Sequence, residues 1–227
     1  MRTARQSFFT GMREAMPVTL TFSFLFLAVG AASQSGGLSV YQGLFMTAMV
    51  FAAPAQFAAI ELIAVEAWVP AMLAIIVINF RFLLMATSIT PYLGTPPRKA
   101  LFPALQMLSA STFATSFPHL CKGGVSHPFS FYLGVCLAAF PTALAATGLG
   151  YLVDADDLPW LQDLLITLLP VYFATFIALA WPNTRFLLAG LMGFLVTPLF
   201  SEFFSGFGLV VAALLIAAVM LLLERKV

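Results

Sequence analysis

Two short stretches of the chain place an asparagine and an arginine two residues apart within apolar sequence. Residues 79–84 read Asn-Phe-Arg-Phe-Leu-Leu, and residues 183–188 read Asn-Thr-Arg-Phe-Leu-Leu. A charged side chain inside a bilayer costs at least about 2.5–3.5 kcal/mol, so it normally faces a protein interior or a water-filled cavity. Guanidinium groups bind carboxylates through two parallel hydrogen bonds. The candidate binding residues for a carboxylate, such as that of an amino acid, are Asn79, Arg81, Asn183 and Arg185.

Structural interpretations of both arginines stay open. Arg81 could form an ion pair with Glu61 or Glu66 instead of binding a ligand. Arg185 follows a proline, so we expect it to begin a helix, where its side chain could extend to the membrane interface. Glu61 is flanked by apolar residues, and if it is buried it is a candidate proton-coupling group.

A second candidate site lies in the sequence Ala52-Ala53-Pro54-Ala55-Gln56. Proline inside a helix removes one hydrogen bond and kinks the chain. A broken membrane helix exposes backbone donors and acceptors, and the N-terminus of the half-helix attracts anions. Pro54 and Gln56 are therefore predicted to bind substrate at a helix break. The alternative is a plain kink, with Gln56 hydrogen-bonded to a neighbouring helix.

The elements that must position these residues are membrane helices. The chain is 62% hydrophobic and only 8% charged, whereas soluble domains average about 25% charged residues. A transmembrane helix needs about 20 apolar residues, and no alternating pattern typical of a barrel is present. We predict an all-α, polytopic bundle of six to eight membrane segments that forms one domain over residues 1–227. The apolar segments cover roughly 17–33, 42–64, 68–90, 101–120, 128–151, 160–181, 184–201 and 206–223.

Basic residues near the termini predict the orientation of the chain, because cytoplasmic loops are rich in lysine and arginine. Both termini are predicted to be cytoplasmic, and an acidic loop around residues 154–163 is predicted to be external. If all eight segments cross, Arg98 and Lys99 fall outside. If segments 42–64 and 101–120 are broken or re-entrant, six crossings place every basic loop inside.

Internal duplication is one interpretation of the repeated Asn-x-Arg sequence. Met16-Pro17 and Phe140-Pro141 also begin apolar runs in the two halves of the chain. Many secondary transporters consist of two repeats with the substrate between them. Chance similarity is the alternative, because both halves are rich in leucine, phenylalanine and alanine.

Other classes of function lack sequence support. The sequence has no metalloprotease, hydrolase, phosphate-loop or dinucleotide-binding motif, so we predict no enzyme activity and no cofactor. Its two histidines lack the clustered ligands of a zinc site, so we predict no metal. With a formal net charge of +1, nothing indicates a nucleic-acid partner.

The motifs between about residues 43 and 95 resemble those of the AzlC-type permeases. Residues 51–57 read Phe-Ala-Ala-Pro-Ala-Gln-Phe and are similar to the family pattern Phe-Ala-Gly-Ala-x-Gln-Phe. Residues 79–84 are similar to the family's Asn-x-Arg-His-x-Leu-Tyr. The sequence departs from the family at Ala53, Pro54 and Phe82, and it has Ser109–Ala114 where many relatives carry an acidic pair.

This resemblance implies the large subunit of a branched-chain amino acid exporter in the bacterial inner membrane. It also implies proton coupling and a small AzlD-type membrane partner. Gln56, Asn79 and Arg81 would then bind the charged ends of a small hydrophobic amino acid. Two alternatives from other classes are a non-transporting scaffold or regulatory subunit, and a channel for another small solute.

Overall fold

Long apolar helices form the frame of the protein. The structure is a computed structural model that describes residues 3–153, 167, 171, 174, 184–204 and 208–224. Helices α2 (Met16–Ser35), α5 (Trp68–Ile89) and α8 (Pro128–Tyr151) are long and apolar enough to cross a bilayer. They confirm the predicted segments 17–33, 68–90 and 128–151. Helices α9 (Thr184–Phe204) and α10 (Gly208–Glu224) match two further segments, whereas the acidic loop and most of segment 160–181 lie outside the described residues.

Shorter helices lie between these long ones. They are α1 (Ala4–Glu14), α3 (Val40–Val50), α4 (Ala53–Ala64), α6 (Arg98–Gln106) and α7 (Ala110–Cys121), and a 3-10 helix spans Thr90–Leu93. Apolar content alone did not predict α1, because this helix is polar on one face and begins with a capping box between Thr3 and Gln6. The described residues contain no strand, so the all-α prediction is confirmed for that part of the chain.

Glycines bring α1 and α2 into backbone contact with α8. A Cβ atom added to Gly11 would overlap the carbonyl oxygen of Phe131, and one added to Gly134 would overlap that of Phe8. Each of the two helices, α1 and α8, thus places a glycine against the backbone of the other at the same crossing point. Small residues at such positions allow membrane helices to approach closely.

The same reciprocity recurs farther along the two helices. Gly30 lies against the Thr147 carbonyl, and Gly150 lies against the Leu27 carbonyl. The continuous unit α1–α2 therefore runs parallel to α8, with matching residues at each level. This packing places the Met16-Pro17 and Phe140-Pro141 sequences at similar heights.

Helices α3 and α4 form a hairpin, named here the first hairpin, that enters the bundle from one end and returns to it. Near its open end, Ile60 of α4 lies against Gly36, in the turn that leads into α3. Near its tip, Thr47 Oγ1 donates a hydrogen bond of 3.0 Å to Gln56 Oε1. If α3 and α4 formed one straight helix, Gly36 and Ile60 could not touch, because each residue advances an α-helix by about 1.5 Å. The chain therefore reverses its direction between α3 and α4.

Helices α6 and α7 form the second hairpin. The ring of Tyr92, which precedes α6, lies 5.6 Å from that of Phe117 in α7. Leu93 and Leu120 share one buried cluster with Tyr132, near the start of α8. The outer ends of α6 and α7 therefore lie together, and the chain reverses at residues 107–109. Segments 42–64 and 101–120 are thus both broken, which the sequence left as one of two alternatives.

The two hairpins enter from opposite ends of the bundle, and their tips meet. The first opens beside the C-terminal end of α2, and the second opens beside the N-terminal end of the parallel helix α8. At the tips, Gln106 Nε2 donates a hydrogen bond of 2.7 Å to the Met49 carbonyl oxygen. Helices α2, α5 and α8 are long enough to cross while both hairpins are broken, so the described residues agree with the alternative in which segments 42–64 and 101–120 do not cross fully.

One end of the bundle carries five basic residues of the described chain, and we name it the basic end. It includes the second hairpin's open end and the start of α1, with Arg5, Arg13, Arg98, Lys99 and Lys122. The two Asn-x-Arg sequences occupy different positions in their helices. Arg81 lies in the middle of α5, whereas Arg185 lies in the first turn of α9, as expected for a helix start.

Replacing Gly150 by alanine is expected to destabilise the protein. The added methyl group would overlap the Leu27 carbonyl and force α2 away from α8. Overpacking of this kind costs about 1–3 kcal/mol, so the thermal unfolding temperature of purified protein in detergent should fall clearly. Gly148→Ala is the matched control, because its methyl group would meet only Leu44 Cδ2, at 3.8 Å. Equal unfolding temperatures for the two variants would contradict the backbone contact.

Candidate functional site

The tip of the first hairpin is fixed by an aromatic cluster. Phe51 ends α3 in a left-handed backbone conformation, with φ 44° and ψ 38°. Bulky residues rarely adopt this conformation, and they keep it only where the surroundings enforce it. The ring of Phe51 contacts those of Phe22, Phe26 and Phe140, with centroids 4.9–5.8 Å apart. These contacts from α2 and α8 hold the chain reversal in place.

The first turn of α4 leaves buried backbone donors open. Ala52 precedes the helix in an extended conformation, and its side chain cannot cap the helix. Pro54 has no N–H group, and Gln56 N already bonds the Ala52 carbonyl. Within the described part of the chain, the N–H groups of Ala53 and Ala55 have no acceptor, although both residues are at most 2% exposed. Buried N–H groups nearly always have partners, so this site is suited to a ligand.

The side chain of Gln56 points to the same conclusion. It is fully buried, and its Oε1 accepts the hydrogen bond from Thr47. Thr47 Oγ1 lies 3.0 Å from Thr147 Oγ1, which also bonds the Ala143 carbonyl. Gln56 Nε2 has no partner among the described residues. Reversing the amide would free Oε1 instead, so one polar atom of Gln56 stays unpartnered in either orientation.

The start of α7, at the tip of the second hairpin, is closed by its own side chains. Ser109 Oγ accepts a hydrogen bond from Thr112 N, and Thr112 Oγ1 accepts one from Ser109 N. Two of the orphan donors are satisfied by this capping box. Of the two half-helix N-termini at the tips, only that of α4 lacks a side-chain cap.

The other predicted residues lie on neighbouring helices or outside the described side chains. Asn79 and Arg81 lie in the middle of α5. The Arg81 guanidinium lies 5.0 Å from the centre of the Phe82 ring. Asn183 lies outside the described residues, and so does the side chain of Arg185.

Glu61 lies on the exposed side of α4, about two turns beyond the start of this helix. The burial that would favour a proton-coupling role is therefore not present in this structure. Among the described residues, no group of three His, Cys, Asp or Glu side chains converges to form a metal site.

Comparison with known proteins decides the family. A family model described as "AzlC protein" matches residues 17–155, which is more than half of the chain. The chain belongs to the AzlC family. The match covers α2 to α8 and therefore both hairpins of this AzlC protein, including Pro54 and Gln56. No curated protein and no solved structure matches the chain.

Sequence reasoning found part of this site in the AzlC chain and missed the rest. Pro54 and Gln56 were identified from the proline and the amide in an apolar segment. Thr47 and Thr147 were missed, because isolated threonines in apolar helices usually bond their own backbone. The meeting of Gln106 with α3 was missed as well, since nothing in the sequence predicts that the two tips touch.

Proposed function

We propose that this AzlC protein is a secondary transporter subunit that exports branched-chain or other small hydrophobic amino acids. Family membership and the helical membrane architecture support a permease. The observation that carries the proposal is the buried, uncapped start of α4 beside the unpartnered amide of Gln56. Broken helices of this kind bind the charged groups of substrates in many transporters.

The substrate carboxylate would bind at the tip of the first hairpin. The N–H groups of Ala53 and Ala55 and the Gln56 amide are donors, and the positive end of the α4 dipole favours an anion. The small alanine side chains allow a ligand to approach the backbone. Phenylalanines around Phe51 offer an apolar surface for the hydrophobic side chain of the substrate.

The Asn-x-Arg residues remain part of the proposal as further contacts to the charged ends of the substrate. Asn79 and Arg81 lie on α5, which packs along α4 and occupies the same middle depth as the tips. Asn79 Oδ1 is buried without a partner among the described residues. Asn183 and Arg185 are proposed on sequence grounds alone.

Replacing Gln56 by leucine tests this function. A hydrogen bond to a charged group contributes about 1.5–3 kcal/mol, so export of leucine should fall at least about tenfold. The measurement is intracellular leucine in cells fed a leucine-containing dipeptide, at matched membrane expression. Gln42→Leu is the control, because Gln42 lies at the exposed outer end of the same hairpin. If wild-type protein changes no amino acid pool, the exporter proposal fails; if Gln56→Leu exports normally, only this binding site fails.

We also propose that export is coupled to the proton gradient and that Glu61 carries the proton. If Glu61 carries the proton, Glu61→Gln should make leucine export insensitive to a protonophore. Glu66→Gln is the matched control, because Glu66 is also exposed but lies beyond the end of α4. A Glu61→Gln variant whose export still collapses when the protonophore is added would assign coupling to another group.

We also propose a small AzlD-type membrane partner and an inner-membrane location with cytoplasmic termini. Lysine and arginine accumulate on the cytoplasmic side of membrane proteins. The basic end of the bundle would then be cytoplasmic, and the first hairpin would open to the outside.

The two native cysteines allow this orientation to be measured. Cys121 is exposed at the basic end beside Lys122, whereas Cys136 is buried in α8. A membrane-impermeant maleimide should label the protein in inside-out vesicles and leave it unlabelled in intact spheroplasts. Cys121→Ser should abolish the labelling. Labelling of Cys121 in intact spheroplasts would reverse the proposed orientation.

A further inference from the structure

The C-terminal end of α3 is occupied by a side chain from the other hairpin. Gln106 Nε2 lies 2.7 Å from the Met49 carbonyl oxygen and 3.5 Å from that of Ala48. The last carbonyls of a helix have no partners within it. The Thr47 carbonyl is satisfied by Phe51 N, at 3.1 Å. Gln106 thus supplies the donor for the next two carbonyls of this helix end.

Two properties of this contact suggest that Gln106 occupies a binding position. Its side chain is exposed although it lies at the meeting point of the tips, halfway through the bundle. Polar groups at this depth normally line a cavity and not the lipid. The helix end it covers is also the negative end of the α3 dipole, which favours a cation over a neutral amide.

The negative C-terminal end of α3 and the positive N-terminal end of α4 lie next to each other in the chain. Only Phe51 and Ala52 separate the last residue of α3 from the first residue of α4. The tip therefore presents carbonyl oxygens on one side and free N–H groups on the other. An α-amino acid carries an ammonium and a carboxylate on one carbon, so its charges match this arrangement.

We propose that the carbonyls of Ala48 and Met49 form the ammonium subsite of the transporter, and that Gln106 fills this subsite until substrate displaces it. This inference rests on the proposed function, because it takes the substrate to be an amino acid. Gln106 is then a specificity-determining residue. It sets the preference for an α-amino acid over the same molecule without its amine.

The test is a charge replacement at Gln106. A lysine at this position would place a permanent ammonium group at the two carbonyls. In Gln106→Lys, leucine binding should weaken at least about tenfold, whereas 4-methylpentanoate, which is leucine without its amine, should bind about tenfold more tightly. Both ligands are measured by competition with radiolabelled leucine or 4-methylpentanoate on full-length protein in nanodiscs.

A second variant covers the case in which the lysine variant does not fold. Gln106→Leu keeps the size of the side chain and removes the donor, so it should tighten leucine binding several-fold and leave 4-methylpentanoate binding unchanged. Tyr41→Lys is the control for charge alone, because Tyr41 is 81% exposed at the outer end of α3. Its affinities should equal those of wild type.

The outcomes separate this inference from the proposed function. If wild-type protein binds no hydrophobic amino acid, the proposed function fails before any variant is measured. If wild-type protein binds leucine but the Gln106 variants change both ligands equally or not at all, the ammonium subsite lies elsewhere and this inference is overturned.

Discussion

Backbone groups that lie inside a bilayer must find partners within the protein, and the centre of this AzlC chain is organised around that requirement. Four helix ends meet at the tips of the two hairpins, where water is scarce. The end of α3 is satisfied by Gln106, and the start of α7 by Ser109 and Thr112. The start of α4 alone keeps buried donors without a cap. In the described part of the chain, the tip of the first hairpin therefore keeps buried polar positions open.

Close packing between other helices stabilises the protein around these interrupted helices. Backbone contacts at Gly11, Gly134, Gly30 and Gly150 join α1–α2 to α8 along most of their length. The resulting frame spans both ends of the bundle and supports one hairpin from each end. Its aromatic side chains also hold Phe51 in a conformation that this residue would otherwise avoid. A rigid frame thus positions two short, irregular elements.

The apolar segments could be predicted because each long helix consists of about twenty apolar residues. The break before Pro54 was also predictable, since proline removes a hydrogen bond from a helix interior. The contact between Gln106 and Met49 was not, because it depends on how two hairpins meet in space. The Asn-x-Arg repeat was more prominent in sequence than in structure, since Arg81 and Arg185 lie at different positions in their helices. The glycine contacts, which pair α1–α2 with the parallel helix α8, relate the two halves of the chain more closely than the Asn-x-Arg repeat does.

The opposed entry of the two hairpins has an electrical consequence. Helices α4 and α7 both begin at the centre but run to opposite ends of the bundle, and α3 and α6 likewise approach the centre from opposite ends. Their dipoles therefore largely cancel along the direction of the membrane potential, which performs about 2.3 kcal/mol of work per elementary charge per 100 mV. A zwitterion bound between them carries no net charge either. Voltage would then do little work on the amino acid at its site, and it would act on export through the proton that is carried with each cycle.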